Sequence, residues 1–157
     1  MGELREPLGE CSLPAALETM GERWAFLILR AAFNGLQHFE EFQSELGIAR
    51  NILANRLGRF VDHGLMQRQS LAADRRKIAY CLTDKGYALL PTMVALRQWG
   101  ERWETGCPAF PILVDARDSR PIQQVAVLSH DGRVLGKGDL HWALPGEVAA
   151  GERDAAE

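Results

Sequence analysis

The stretch Ala49–Leu65, ARNILANRLGRFVDHGL, decides how this chain is read. Leu53, Leu57, Phe60 and Val61 recur at helical spacing and form one apolar arc. The opposite side carries Asn51, Asn55, Gly58, Arg59 and Asp62, with Arg50 and Arg56 on the flanks. Asn is a poor helix former, and Lys or Glu would solvate a helix better. Two Asn and three Arg in ten residues therefore suggest a face kept for hydrogen bonding rather than for solubility. Gly64 follows as a C′ glycine, so the helix stops there.

Outward from this helix the pattern continues in both directions. Upstream, Ser12 and Pro14 start a short helix that stops near Gly21. A second helix is expected from about Glu22 to Phe33, with Trp24, Leu27, Ile28 and Ala31 as its core stripe. Asn34-Gly35 breaks it, and NGLQH, residues 34–38, reads as a turn. A third helix, about Phe39 to Leu46, turns Phe39, Phe42 and Leu46 inward and ends at Gly47. Only a short turn then precedes the quoted helix, which makes a helix-turn-helix. Downstream, LMQRQSL and KIAYCL alternate as two strands around the polar turn AADRR, a β-hairpin or wing. Thr83 caps a last helix expected to reach about Trp103, interrupted at Pro91.

The fold class is therefore α+β, mainly α: a winged helix-turn-helix with a long C-terminal helix and a small β-rich appendage. Three segments are expected: residues 8–105 as the helical and winged domain, 106–146 as the appendage, and 147–157 as a polar, flexible tail. Within the appendage Asp131-Gly132 is a two-residue hairpin signal.

Bulk properties set limits. The apolar fraction is 46% and the charged fraction 25% of 157 residues, ordinary for a globular protein, which excludes disordered, collagen-like and coiled-coil classes. The apolar run Trp24–Leu29 is too short to span a bilayer. Residues 1–10 hold three Glu and no apolar core, unlike a signal peptide, so a cytoplasmic location with no membrane partner is expected. Cys11, Cys81 and Cys107 form no disulfide framework and no metal-binding spacing. No glycine-rich phosphate loop is present, and His38, His63, His130 and His141 lack a recognisable catalytic partner, so neither enzyme activity nor a cofactor or metal is expected. Net charge is −3, but residues 47–80 hold seven basic and two acidic side chains, net +5, against −8 in the remainder. A basic block within an acidic chain is a local footprint for a polyanion.

Several motifs in order give the chain a resemblance to the HxlR family of winged helix-turn-helix regulators, relatives of the MarR group. CSLPAALETMGERWAFLILR is similar to the family's opening cysteine, short helix and tryptophan-led second helix. GLQHFEEF resembles its Phe-centred helix, IARNILANRLGRFVDHGL its recognition helix, YCLTDKG the end of its wing, and LLPTMVALRQWG its dimerisation helix. The resemblance covers residues 11–104. It implies a homodimeric, sequence-specific regulator of transcription on a pseudo-palindromic site in double-stranded DNA. The chain departs from the family at Ala49, where the family usually has Ser, and in a wing without proline.

On this reading Arg50, Asn51 and Asn55 face base edges, since Asn suits adenine and Arg guanine. Arg56 and Arg59 face phosphates. Arg75, Arg76 and Lys77 at the wing tip meet phosphate or the minor groove, because three consecutive cations repel one another unless an anion is near. Leu96, Trp99 and Trp103 lie along one edge of the last helix, as core or as a homodimer seam, and a palindromic site favours the seam. Cys11 stands either as a small apolar residue or as a candidate redox sensor, a role the family implies for some members. A following helix N-terminus favours its thiolate, while Glu3, Glu6 and Glu10 oppose it. Two other functions compete: a winged-helix protein-interaction module, and a ligand-sensing regulator whose small-molecule effector binds the appendage.

Overall fold

A computed structural model describes residues 9–21, 23–71 and 74–148, with the side chains of 71–77 and of residue 145 left out of the description. The N-terminal Glu3 and Glu6, Glu22, Ala72 and Ala73 of the wing turn, and the tail beyond 148 lie outside the described residues. The elements run α1 (Leu13–Met20), α2 (Arg23–Phe33), α3 (Phe39–Leu46), α4 (Arg50–Asp62), β1 (Met66–Leu71), β2 (Asp74–Leu82), α5 (Asp84–Tyr87) and α6 (Leu90–Gly100). A π-helical turn, Glu101–Thr105, extends α6.

Contacts divide the chain into two units, one of Ala15–Val125 and the other of the described parts of Met1–Pro14 and Ala126–Glu157. The core of the first joins Ala25, Ile28 and Leu29 of α2, Phe42 of α3, Leu53, Leu57 and Phe60 of α4, and Leu65, Met66 and Tyr80 of the wing base. The buried stripe of α2 is Ala25, Ile28, Leu29, Ala31 and Ala32, whereas the expected Trp24 and Leu27 are half-buried. Because α2 packs on α3, α6 and β2 at once, its alanines, which let neighbours approach, point deepest.

Gly47 (φ 58°), Ile48 and Ala49 make the turn between α3 and α4, and Ile48 plugs the core. His38 N-caps α3, and the Glu41 carboxylate accepts from the backbone N–H groups of His38 (2.9 Å) and Gln37 (3.1 Å). These two bonds, His38 first, hold the Glu41 carboxyl below its ordinary pKa. The same segment adds a third partner to the wing: the Tyr80 N–H donates to Gln37 O (2.8 Å), and His38 bridges Ala79. The hairpin pairs Met66 with Leu82 through Ser70 with Ile78, then shifts register so that Leu71 faces Asp74. β2 is thus longer than the KIAYCL expected.

The wing returns to the helices through a tight corner. Thr83 caps α5, accepting from the Gly86 N–H (3.2 Å) and donating to Gly64 O (2.6 Å). A Cβ on Gly86 would collide with the Leu65 carbonyl and lie 2.9 Å from Leu82 Cδ2. The last helix is broken as the proline suggested: α5 ends at Tyr87, and Pro91 falls in the first turn of α6, where its missing N–H costs no bond.

Residues 106–125 are strapped to α6. Arg97 pairs with Glu101 (3.0 Å) and donates to Pro111 O (2.6 Å), while both ends of the Gln98 amide engage the backbone, at Gln123 O (3.1 Å) and the Val125 N–H (2.8 Å). Pairing in the appendage is confined to isolated bridges, Val114 with Pro121 and, in the second unit, Leu128 with Val134. The Asp131-Gly132 signal does form a turn there, with Gly132 at φ 84° and the Ser129 N–H donating to Arg133 O (2.9 Å). Among the described residues 110–148 none is buried, so the alternation has no opposing layer on which to build a sheet.

Candidate nucleic-acid interface

The helix-turn-helix presents α4 with a buried and an outward side. Leu53, Leu57 and Phe60 are fully buried, while Asn51, Asn55 and Asp62 are exposed. At about 100° per residue Asn51 and Asn55 lie within about 40° of each other, at the centre of the outward face. Nothing lies within 4 Å of a Cβ built on Gly58 on that face, so a ligand can approach the backbone closely. Ala49 is the N-cap residue, with φ −62° and ψ 137°, and offers no side-chain bond to the first-turn amides. Those N–H groups and the positive helix end point toward whatever meets Arg50 and Asn51.

The three arginines of α4 behave differently from the two asparagines. Arg50 is exposed, yet its guanidinium rests 4.8 Å from the Phe39 ring centroid on α3. Arg59 is half-buried and its Nη2 donates to Glu18 O of α1 (2.8 Å). Arg56 is half-buried, and its Nη1 would lie 3.4 Å from a Cβ on Gly21, at the end of α1. Helical geometry accounts for Arg50 and Arg56, which sit about 50–70° from the centre of the buried arc, where a long side chain lies along the protein surface; Arg59 starts from the outward side and reaches α1 by its length. Of the two arginines expected at phosphates, Arg59 bonds α1 and Arg56 lies beside the end of that helix.

On the wing, Arg68 lies 5.6 Å from the Tyr80 ring centroid, its cross-strand partner. Arg75, Arg76 and Lys77 belong to β2 by backbone, but their side chains are outside the described residues. Leu96, Trp99 and Trp103 are 48%, 52% and 64% exposed, as is Leu17 of α1 at 51%. Cys11 is a free, half-buried thiol just ahead of α1; Cys81 and Cys107 are also free. An open cleft of about 430 Å³, lined in part by Gln98, Arg102, Cys107 and Gln124, lies beside the α6 extension, but Gln98 is already committed to the backbone and Arg102 rests on Trp103. Among the described residues no group of three or more His, Cys, Asp or Glu could hold a metal ion, and no helix is long and apolar enough to cross a membrane.

Comparison with known proteins agrees with this geometry. The chain is 41% identical over 92 residues to an HTH-type transcriptional regulator of Mycobacterium tuberculosis (strain ATCC 25618 / H37Rv), a match that covers 59% of this chain and 58% of that relative. It spans therefore less than two thirds of the relative's length. The crystal structure of PA1607, described as a candidate transcription factor, superposes with a TM-score of 0.80 at 38% identity, over 87% of this chain and 96% of that one. That similarity extends past the helices into the appendage. The reduced form of the transcriptional regulator YodB from Bacillus subtilis matches with a TM-score of 0.53 at 25% identity, over 65% of this chain and 98% of YodB. The family model for the HxlR-like helix-turn-helix matches residues 19–106. The chain belongs to the HxlR-like helix-turn-helix family.

Proposed function

We propose that this protein is a homodimeric transcriptional regulator that inserts α4 into the major groove of a pseudo-palindromic DNA site. One observation carries the reading: α4 buries Leu53, Leu57 and Phe60 and turns two exposed amide side chains, Asn51 and Asn55, outward inside a helix-turn-helix with a wing. Asn51 and Asn55 read bases, Arg50 leaves the Phe39 ring to join them, and Arg75, Arg76 and Lys77 follow the backbone. The exposed Leu96, Trp99 and Trp103, with Leu17, form the seam between two copies, which sets the spacing of the two recognition helices. Cys11, ahead of α1, is the position at which an oxidant or electrophile would act.

The test is selection of bound DNA from a random pool, followed by titration of the selected site. Asn51→Ala and Asn55→Ala should each weaken binding by about 1–3 kcal/mol and relax preference at one base position per half-site. Unaltered affinity and preference in both variants would remove α4 from the interface. Adding diamide should change binding in wild type and not in Cys11→Ser; equal responses exclude Cys11 as the sensor.

A further inference from the structure

We propose that Arg59, with Arg56 beside it, positions the recognition helix by coupling it to α1, and that movement of α1 is thereby passed to the DNA-reading face. This rests on the DNA-binding reading above and assigns to two arginines a role other than phosphate contact. Arg59 Nη2 donates to Glu18 O at 2.8 Å, across 41 residues of sequence. Glu18 is in the last turn of α1, where carbonyls lack internal donors and where the helix dipole favours a cation. One turn of α4 earlier, Arg56 reaches the glycine that ends α1, Gly21 at φ 73°, whose N–H closes the helix on Leu17 O (2.7 Å). Arg59 thus bonds the last turn of one short helix, and Arg56 lies beside the glycine that ends it. The same helix exposes Leu17, part of the proposed seam between copies. A change in how two copies meet along α1 would tilt α4 through this contact, because a charge-assisted hydrogen bond is short and directional whereas apolar contact is not.

Arg59→Ala tests the coupling in three measurements. In the free protein, amide exchange at Gly21 should quicken severalfold while exchange in β1 and β2 stays as in wild type; unchanged exchange at Gly21 overturns the coupling whether or not the protein binds DNA. On DNA, the ratio of affinity for the selected site to affinity for random sequence should fall about fivefold or more, the low end of coupling between sites, with an unchanged slope of log affinity against log salt. A slope reduced by about 0.9, with equal losses on both DNAs, would make Arg59 a phosphate contact and overturn the proposal. Should Arg59→Ala lose its cooperative melt, Arg59→Met serves, since it keeps most of the apolar stem and removes the donor to Glu18 O. Coupling then predicts lower specificity at constant slope, and a phosphate contact predicts a slope reduced by about 0.9 with equal losses on both DNAs. Failure of wild type to select any DNA would count against the function proposed above, while the exchange result at Gly21 would still decide the coupling.

Discussion

Replacing Ala49 by Ser should stabilise the protein and pre-order its recognition helix. Ala49 already has the extended conformation of an N-cap residue, φ −62° and ψ 137°, and its side chain is exposed, so Ser adds no steric conflict. Its Oγ can accept from the N–H of Asn51 or Ile52, which receive no side-chain bond from Ala49. A Ser-for-Ala change at such a site is worth about 1 kcal/mol. The unit Ala15–Val125 has roughly 110 residues, for which melting entropy is about 0.23 kcal/mol/K, so Tm should rise by about 4 °C. Calorimetry measures the shift, and hydrogen exchange locates it: slowing should be confined to the first turn of α4. In wild type the same amides should gain protection on binding DNA, and in Ala49→Ser that gain should shrink because the turn is ordered beforehand. A Tm within 1 °C of wild type together with unaltered first-turn exchange would refute the idea that this turn is under-capped.

Three further outcomes are expected. Gly86→Ala should cost about 1–3 kcal/mol and several degrees of Tm, because its Cβ meets the Leu65 carbonyl and the Leu82 side chain at the wing corner; an unchanged melt would show that the corner is looser than described. Glu41→Gln should lower stability modestly at neutral pH, since Gln keeps the capping-box geometry but not the charge, and should flatten the acid limb so that the two proteins converge at low pH. Glu41 has a folded-state pKa below its ordinary 4.5, so its contribution is complete above that value and is withdrawn as pH falls through the folded value; identical acid limbs in the two proteins would contradict the assignment. Trp99→Glu should convert a dimer to monomers in sedimentation velocity, raising the dissociation constant by roughly thirtyfold or more as a central aromatic contact would, with little change in the monomer's far-ultraviolet circular dichroism. A dimer of unchanged affinity would place the seam elsewhere.

Much of the fold could be read from local pattern. The spacing of Leu53, Leu57 and Phe60 placed α4, Asn34-Gly35 and Gly64 ended helices, Thr83 capped α5, Pro91 divided the last helix, and Asp131-Gly132 turned the chain. Each signal acts over about four residues, the range in which backbone propensity and side-chain period are expressed. Less legible was what depends on a distant neighbour. Gln37 and His38 read as part of a turn, yet they pair with β2; α2 rotates its stripe toward Ala25 and Ala32 because three elements press on it; and the apolar alternation after residue 110 forms isolated bridges because no second layer covers it.

The helix ARNILANRLGRFVDHGL shows where the division falls. Its sequence alone determined that it is a helix, which side is buried and that Asn51 and Asn55 lead the outward face, since 3.6-residue periodicity needs no partner. Only the tertiary structure decided where its arginines go, because a long cationic side chain outside the buried arc takes whatever carbonyl or ring lies within reach. The Phe39 ring lies beside Arg50, the Glu18 carbonyl meets Arg59, and the turn at Gly21 receives Arg56, all supplied by segments 11 to 41 residues away in the chain.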